Sequence, residues 1–131
     1  MNRLSDFLLN VFWPTRCHVC RRGIGNDRRV HLCEYHAKEY GEERHIACPI
    51  CHKTYDRCTC LPQFASPYIQ SYTRVARYRE MSAVGKMLLR AKSSSAGRLY
   101  SFLAEEMEKV LKNRGISADL VTYIPCSYDS L

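Results

Sequence analysis

The chain has 131 residues, 46% of them hydrophobic and 25% charged, with eight cysteines and a formal net charge of +7 at pH 7. That length bounds it to one or two small domains, and no stretch approaches the roughly 20 apolar residues that a membrane span needs. The cysteines belong either to a disulfide framework in an oxidising compartment or to thiolate–metal sites in a reducing one.

Residues 1–13 read as a short amphipathic helix. Ser5 is placed to cap it, Leu4, Phe7, Leu8, Val11 and Phe12 line one side, and Pro14 ends it. As an export signal this stretch fails, because Asp6 and Asn10 interrupt it and Trp13-Pro14 offers no small-residue cleavage site. The expected location is therefore the cytoplasm, where thiols stay reduced.

Residues 14–64 carry seven of the eight cysteines in four close pairs: Cys17-x2-Cys20, Cys33-x2-His36, Cys48-x2-Cys51 and Cys58-x-Cys60. Two ligands separated by two residues can bend back on a tight turn toward one ion, and two such pairs close a tetrahedral structural zinc site. Eight ligands predict two zinc ions, paired sequentially: Cys17, Cys20, Cys33 and His36 on one, Cys48, Cys51, Cys58 and Cys60 on the other. The last pair is tighter than usual, which leaves His45 and His52 as alternative ligands there. This half is too polar to fold by burial. Zinc binding to finger-like peptides is worth about 10 to 16 kcal/mol, comparable to the whole stability of a domain at about 5 to 15 kcal/mol. Regular structure is expected to be short here, with a turn or two of helix over residues 37–44.

After Pro62 and Pro67 the pattern changes. Ile69, Tyr72, Val75, Ala76 and Tyr78 form a β-branched and aromatic run that reads as one or two strands ending near Arg79. Met81, Val84, Leu88 and Ala91 recur at helical spacing. A second helix is expected over residues 98–114, with Leu99, Leu103, Met107, Val110 and Leu111 as its buried stripe and Gly115 as its stop. Residues 119–125 read as a buried strand, and Cys126 beyond it as a small apolar residue. Strand, helices, strand is the opening of a parallel α/β sheet, which one βαβ unit cannot complete.

The excess charge concentrates in residues 74–98, where seven Lys and Arg share the stretch with Glu80 as the one acid. Seven thiolates subtract seven charges and two Zn2+ ions add four, which leaves +4 of the formal +7. Arg74, Arg77, Lys86, Arg90 and Lys92 are the candidate contacts to phosphate or nucleic acid, since a basic field interleaved with Tyr72 and Tyr78 suits a single strand. The bland alternative is a solvated basic face.

The order of these pieces is similar to the beginning of a ComF-type competence protein. The resemblance lies in an apolar segment closed by Trp13-Pro14-x2-Cys17-x2-Cys20, then Leu32-Cys33, Cys48-Pro49-Ile50-Cys51, a cysteine pair before Leu61-Pro62-Gln63-Phe64, then Val75-Ala76-Arg77-Tyr78, the helix carrying residues 84–92, and residues 119–125. It implies a small zinc-stabilised module followed by an incomplete α/β domain, residues 65–131 being the N-terminal part of a phosphoribosyltransferase-like fold. It also implies a role in DNA uptake and natural transformation, with single-stranded DNA and other competence proteins as partners. Two departures stand out: Cys33-x2-His36 and Cys58-x-Cys60 each replace a C-x2-C. The family's Arg-Gly-Phe-Asn-Gln stretch and its Thr-Thr-Gly phosphate loop have no counterpart in the 131 residues, so the expectation is a truncated relative without transferase activity of its own. A third class of function, a zinc-dependent protein-interaction module, is suggested by a ligand order that resembles a RING finger. The eleven residues between His36 and Cys48 disfavour that finger's cross-braced pairing.

Overall fold

A computed structural model describes residues 7, 8, 11, 14–25, 27, 29–61, 67, 69, 71–93 and 96–120. Among these, three helices carry the regular structure: α1, Glu34–His45; α2, Ala83–Ser93; and α3, Gly97–Asn113. A single 3-10 turn, Tyr55–Arg57, stands between α1 and α2. The only β pairings among the described residues are two isolated antiparallel bridges, Arg16 with Gly23 and Ala47 with Thr54.

Helix α1 is longer than the turn or two expected. Cys33 stands at its N-cap in extended conformation, Glu34 lies in the first turn, and Arg44 and His45 lie in the last, an order that complements the helix dipole. Its buried face is His36, Tyr40 and Glu43. That face is polar and aromatic, so a search for apolar periodicity passes over it.

Helix α2 buries Ala83, Val84, Gly85 and Met87, while Met81 is 77% exposed and Leu88 and Ala91 are half-buried. A Cβ built on Gly85 would collide with the backbone carbonyls of Arg79 and Glu80. Only glycine lets the chain fold this closely over the helix start. Two carboxylates of α1 cap that start from outside: Ala83 N–H donates to Glu39 Oε1 at 3.2 Å and Val84 N–H to Glu43 Oε2 at 3.3 Å. They satisfy N–H groups that a helix cannot pair within itself.

Helix α3 ends where expected. Gly115 takes φ +63, its N–H donates to Lys112 O, and Ile116 N–H donates to Leu111 O, as in a Schellman-type stop. The buried stripe is rotated from the expected one. Leu99, Phe102, Glu106 and Val110 face inward, whereas Met107 is 56% and Leu111 37% exposed.

One core joins these elements. Cys17 and Leu32 from the first ligand pairs pack with Tyr40 of α1, Ala83, Val84 and Met87 of α2, and Leu99 and Phe102 of α3. A first candidate metal ligand therefore sits in the same apolar cluster as the helices. Met87 and Leu99 are fully buried, each contributing about 2 to 3 kcal/mol of apolar transfer.

The strand expected near residues 69–79 is not formed: residues 69 and 71–79 carry neither strand nor helix. A strand needs a ladder partner. Here Arg77 N–H instead donates to the carbonyl of Glu43 in the last turn of α1. The described residues are thus mostly helical, and the expected α/β sheet is not among them. Residues 121–125 and Cys126 lie outside the described residues. Of the N-terminal stripe, Phe7, Leu8 and Val11 have helical backbone and remain exposed, while Leu4 and Phe12 lie outside the described residues.

Candidate metal centres

Each half of the cysteine-rich region begins with the same backbone device. Arg22 O accepts from Cys17 N–H at 2.9 Å, and Arg21 N–H returns to Cys17 O at 3.0 Å. Thirty-one residues later, Lys53 O accepts from Cys48 N–H at 2.8 Å and His52 N–H returns to Cys48 O at 2.9 Å. The isolated bridges flank these two loops, so the region is a structural repeat. Each loop needs a left-handed residue just after its second cysteine, which Arg21 supplies at φ 66 and His52 at φ 58. Glycine is the usual occupant of that conformation, and a larger side chain costs about 1 kcal/mol or more there.

At the first centre, Cys33 and His36 are presented by the start of α1 toward the loop cysteines. Cys17 Sγ lies 3.6 Å and Cys33 Sγ 3.1 Å from His36 Nδ1, and Cys20 Sγ lies 3.9 Å from Cys33 Sγ. Cys17 and His36 are buried while Cys20 is exposed. At the second centre, Cys58 and Cys60 follow the 3-10 turn, with Cys51 Sγ 3.7 Å from Cys58 Sγ and Cys60 N–H donating to Cys58 Sγ at 3.4 Å. In both sets all four ligand atoms lie within 4.8 Å of one another.

These separations suit a shared ion. Tetrahedral bonds of about 2.3 Å to sulfur and 2.0 to 2.1 Å to nitrogen put two sulfurs about 3.8 Å apart and a sulfur about 3.6 Å from a ring nitrogen. A disulfide would need sulfurs at about 2.05 Å, and all seven described cysteines are free. Each cluster can hold one metal ion, with the sequential ligand sets expected from the spacing. The alternative ligands stand apart: His52 is exposed on its left-handed position, and His45 donates from Nδ1 to Gly41 O at 2.8 Å.

The loops also prepare thiolates. Backbone N–H groups of Cys51 and Ile50 bring the Cys48 thiol down to about 6, and hydrogen bonds from the Cys20, Cys33 and Val19 backbone outweigh burial to lower Cys17. Their neighbours respond in the opposite sense. Cys60 is pushed up to about 12, first by its hydrogen bonding to Cys51 and then by burial, and burial raises Cys33 and Cys58. A divalent ion that gathers all the thiolates of a centre therefore displaces protons, and its hold weakens as pH falls.

The arginines singled out for nucleic acid are placed unexpectedly. Arg74 Nη1 donates to Cys58 Sγ at 3.1 Å and Nη2 to Cys60 O at 3.2 Å, with the guanidinium 5.1 Å from the ring centres of both Tyr55 and Tyr72. Arg90 Nη1 donates to His18 O in the first loop at 2.9 Å. Arg77, Lys86 and Lys92 are exposed. Arg114, not anticipated from the sequence, donates from Nη1 to Thr73 Oγ1 at 2.8 Å and to Cys58 O at 3.4 Å. Equally unanticipated is a stack that joins the first loop to α3. His18 and His31 approach within 3.2 Å, and the His31 ring lies 4.9 Å from Phe102. Burial, with His31 and Arg98 nearby, lowers His18 to about 4 and keeps it neutral.

Between residues 72–78 and the helices lies a groove of about 500 Å³, lined by Tyr55, Tyr72, Met87, Leu88, Leu103 and Met107 among others. No helix among the described residues is long and apolar enough to cross a membrane. Comparison with family models, with curated proteins and with solved structures finds no match for this chain.

Proposed function

We propose that each cluster holds one structural Zn2+ and that the pair of centres is the scaffold on which the helices assemble. The observation that carries this is the convergence of four protein ligand atoms at each centre within 4.8 Å. A full set of four protein ligands leaves no position for substrate, and thiolate-rich tetrahedral sets favour zinc over the harder cations. Zinc, when bound, supplies cross-links between segments distant in sequence. The chain's own residues supply the rest: the loops orient Cys17 and Cys48, and α1 carries His36 into the shared core. Native mass spectrometry tests the reading directly. The wild type should carry two zinc ions and Cys17→Ser and Cys48→Ser one each, from different centres; a wild type without zinc contradicts it.

A second reading extends the resemblance to ComF-type proteins: a cytoplasmic chain that handles incoming single-stranded DNA during transformation, with residues 65–131 as the leading part of a phosphoribosyltransferase-like α/β domain. The exposure of Arg77, Lys86 and Lys92 supports it. Arg74 and Arg90 are engaged with the metal loops and contribute less than the sequence suggests. Fluorescence anisotropy with a labelled single strand should give binding at low salt that weakens steeply as salt rises. Absence of binding at low salt removes the reading. An enzymatic role is not proposed for residues 1–131.

A further inference from the structure

The second centre is attached to the groove by one side chain. Arg74 lies between Tyr55 and Tyr72 and sends its fork to a ligand sulfur, Cys58 Sγ, and to the carbonyl of another ligand, Cys60. A longer approach of 4.0 Å reaches Cys48 Sγ. Four thiolates around a divalent ion leave a net charge of −2, and the guanidinium halves it. Lysine would supply the charge without the planar stack or the two-pronged donation.

Residues 71–79 have no regular structure, yet they form one wall of the groove. Toward the helices they are held by Arg77 N–H on Glu43 O, by the Arg79–Glu43 ion pair at 3.5 Å and by Ala76 against the core; toward the second centre they are held by Arg74 on Cys58 and Cys60 and by Thr73 on Arg114, which itself reaches Cys58 O. Two of these ties converge on Cys58. The opposite wall, Met87 and Leu88 of α2 with Leu103 and Met107 of α3, belongs to the helices and does not depend on that residue.

We infer that Arg74 is a positioning residue that latches residues 71–79 to the second metal centre, so that occupancy of that centre determines whether the groove has two walls. The inference rests on the zinc reading of the second cluster. With Cys58 and Cys60 fixed around a shared ion, Arg74 has a fixed seat; when the centre empties, the loop that carries both residues loses that fixture and the wall loses its anchor. The tie to the first loop, Arg90 Nη1 to His18 O, comes from α2 and not from residues 71–79.

The test uses the full chain loaded with zinc. Zinc transfer to a chromophoric chelator is followed for wild type, Arg74→Met and Arg74→Lys, with the Cys17→Ser and Cys48→Ser variants assigning each phase to a centre. Tryptic cleavage after Arg77 and Arg79 is timed in the same samples, with cleavage inside α3 as reference. Removing a group that supports a metal ligand typically costs 10- to 100-fold in affinity. Arg74→Met should therefore speed release from the second centre about 10-fold or more, leave the first phase unchanged, and speed cleavage at Arg77 and Arg79 but not in α3. Arg74→Lys should recover only part of both effects, and it stands in should the methionine variant fail to fold. Cys48→Ser, which keeps Arg74, should open the same cleavage sites. Unchanged release in both Arg74 variants, or resistant cleavage sites in Cys48→Ser, overturns the latch. A wild type with zinc at the first centre alone overturns the zinc reading of the second cluster and the latch with it, an outcome visible in the metal count before either kinetic experiment.

Discussion

Glu106 is the buried charge on which the helix packing turns. Its side chain is 5% exposed, and it accepts from Tyr40 OH at 2.9 Å, Arg44 Nη1 at 2.8 Å and Lys109 Nζ at 2.6 Å. Burial raises its carboxyl, but Lys109, Tyr40 and Arg44 outweigh that and leave it below the usual glutamate value. A depressed carboxylate contributes stability that is fully present above its unfolded pKa and lost as pH falls through the folded one. Glu106→Gln should therefore cost about 1 to 3 kcal/mol at pH 7. The gap in thermal midpoint between the two proteins should hold down to about pH 5 and narrow below the ordinary glutamate pKa of about 4.3. Bound zinc is counted at each pH and midpoints are compared only where both proteins keep the same metal content; equal midpoints at pH 7 would contradict this role. The ligands themselves were legible because zinc pairs announce themselves over two or three residues. Two of the three partners of Glu106, Arg44 and Tyr40, lie 62 and 66 residues away, as Cys58 lies 16 residues from Arg74. No local pattern announces such pairs, so Arg74 reads in sequence as a free cation.

The helices show the same division. α2 and α3 were visible because apolar residues recur at helical spacing, and the end of α3 because Gly115 follows a basic turn. Of the expected inward face of α3, Leu99 and Val110 are buried and Leu103 packs against the core, but Met107 and Leu111, equally apolar, are exposed, and Glu106 looks like a surface residue until Tyr40 and Arg44 are placed against it. α1 is longer than its apolar pattern suggests for a related reason, since its buried face of His36, Tyr40 and Glu43 is held by a candidate ligand contact, hydrogen bonds and aromatic packing more than by aliphatic burial. Residues 71–79 have strand composition, but composition expresses fitness for a pleated surface, and here the neighbours are helices and a metal loop. Their tyrosines and valine line a groove instead.

Taken together, the two metal loops and the three helices form an arrangement in which the polar first half supplies cross-links and the second half supplies apolar surface. Cys17 lies in the helical core, Arg90 grips the first loop, and Arg74 and Arg114 grip the second. Two of the five basic candidates, Arg74 and Arg90, therefore engage the candidate metal loops, which leaves Arg77, Lys86 and Lys92 exposed toward any anionic partner. The sharing of Cys17 with the helices makes a definite demand: helix content should depend on metal. The direct measurement is far-UV circular dichroism of the zinc-loaded chain during titration with a strong chelator, with bound metal counted at each step. The helical signal of α1, α2 and α3 should fall as zinc leaves and return when zinc is restored, because binding worth about 10 to 16 kcal/mol per ion exceeds what so small a core supplies alone. A metal-free chain that keeps its full helical signal and its resistance to protease would contradict the account.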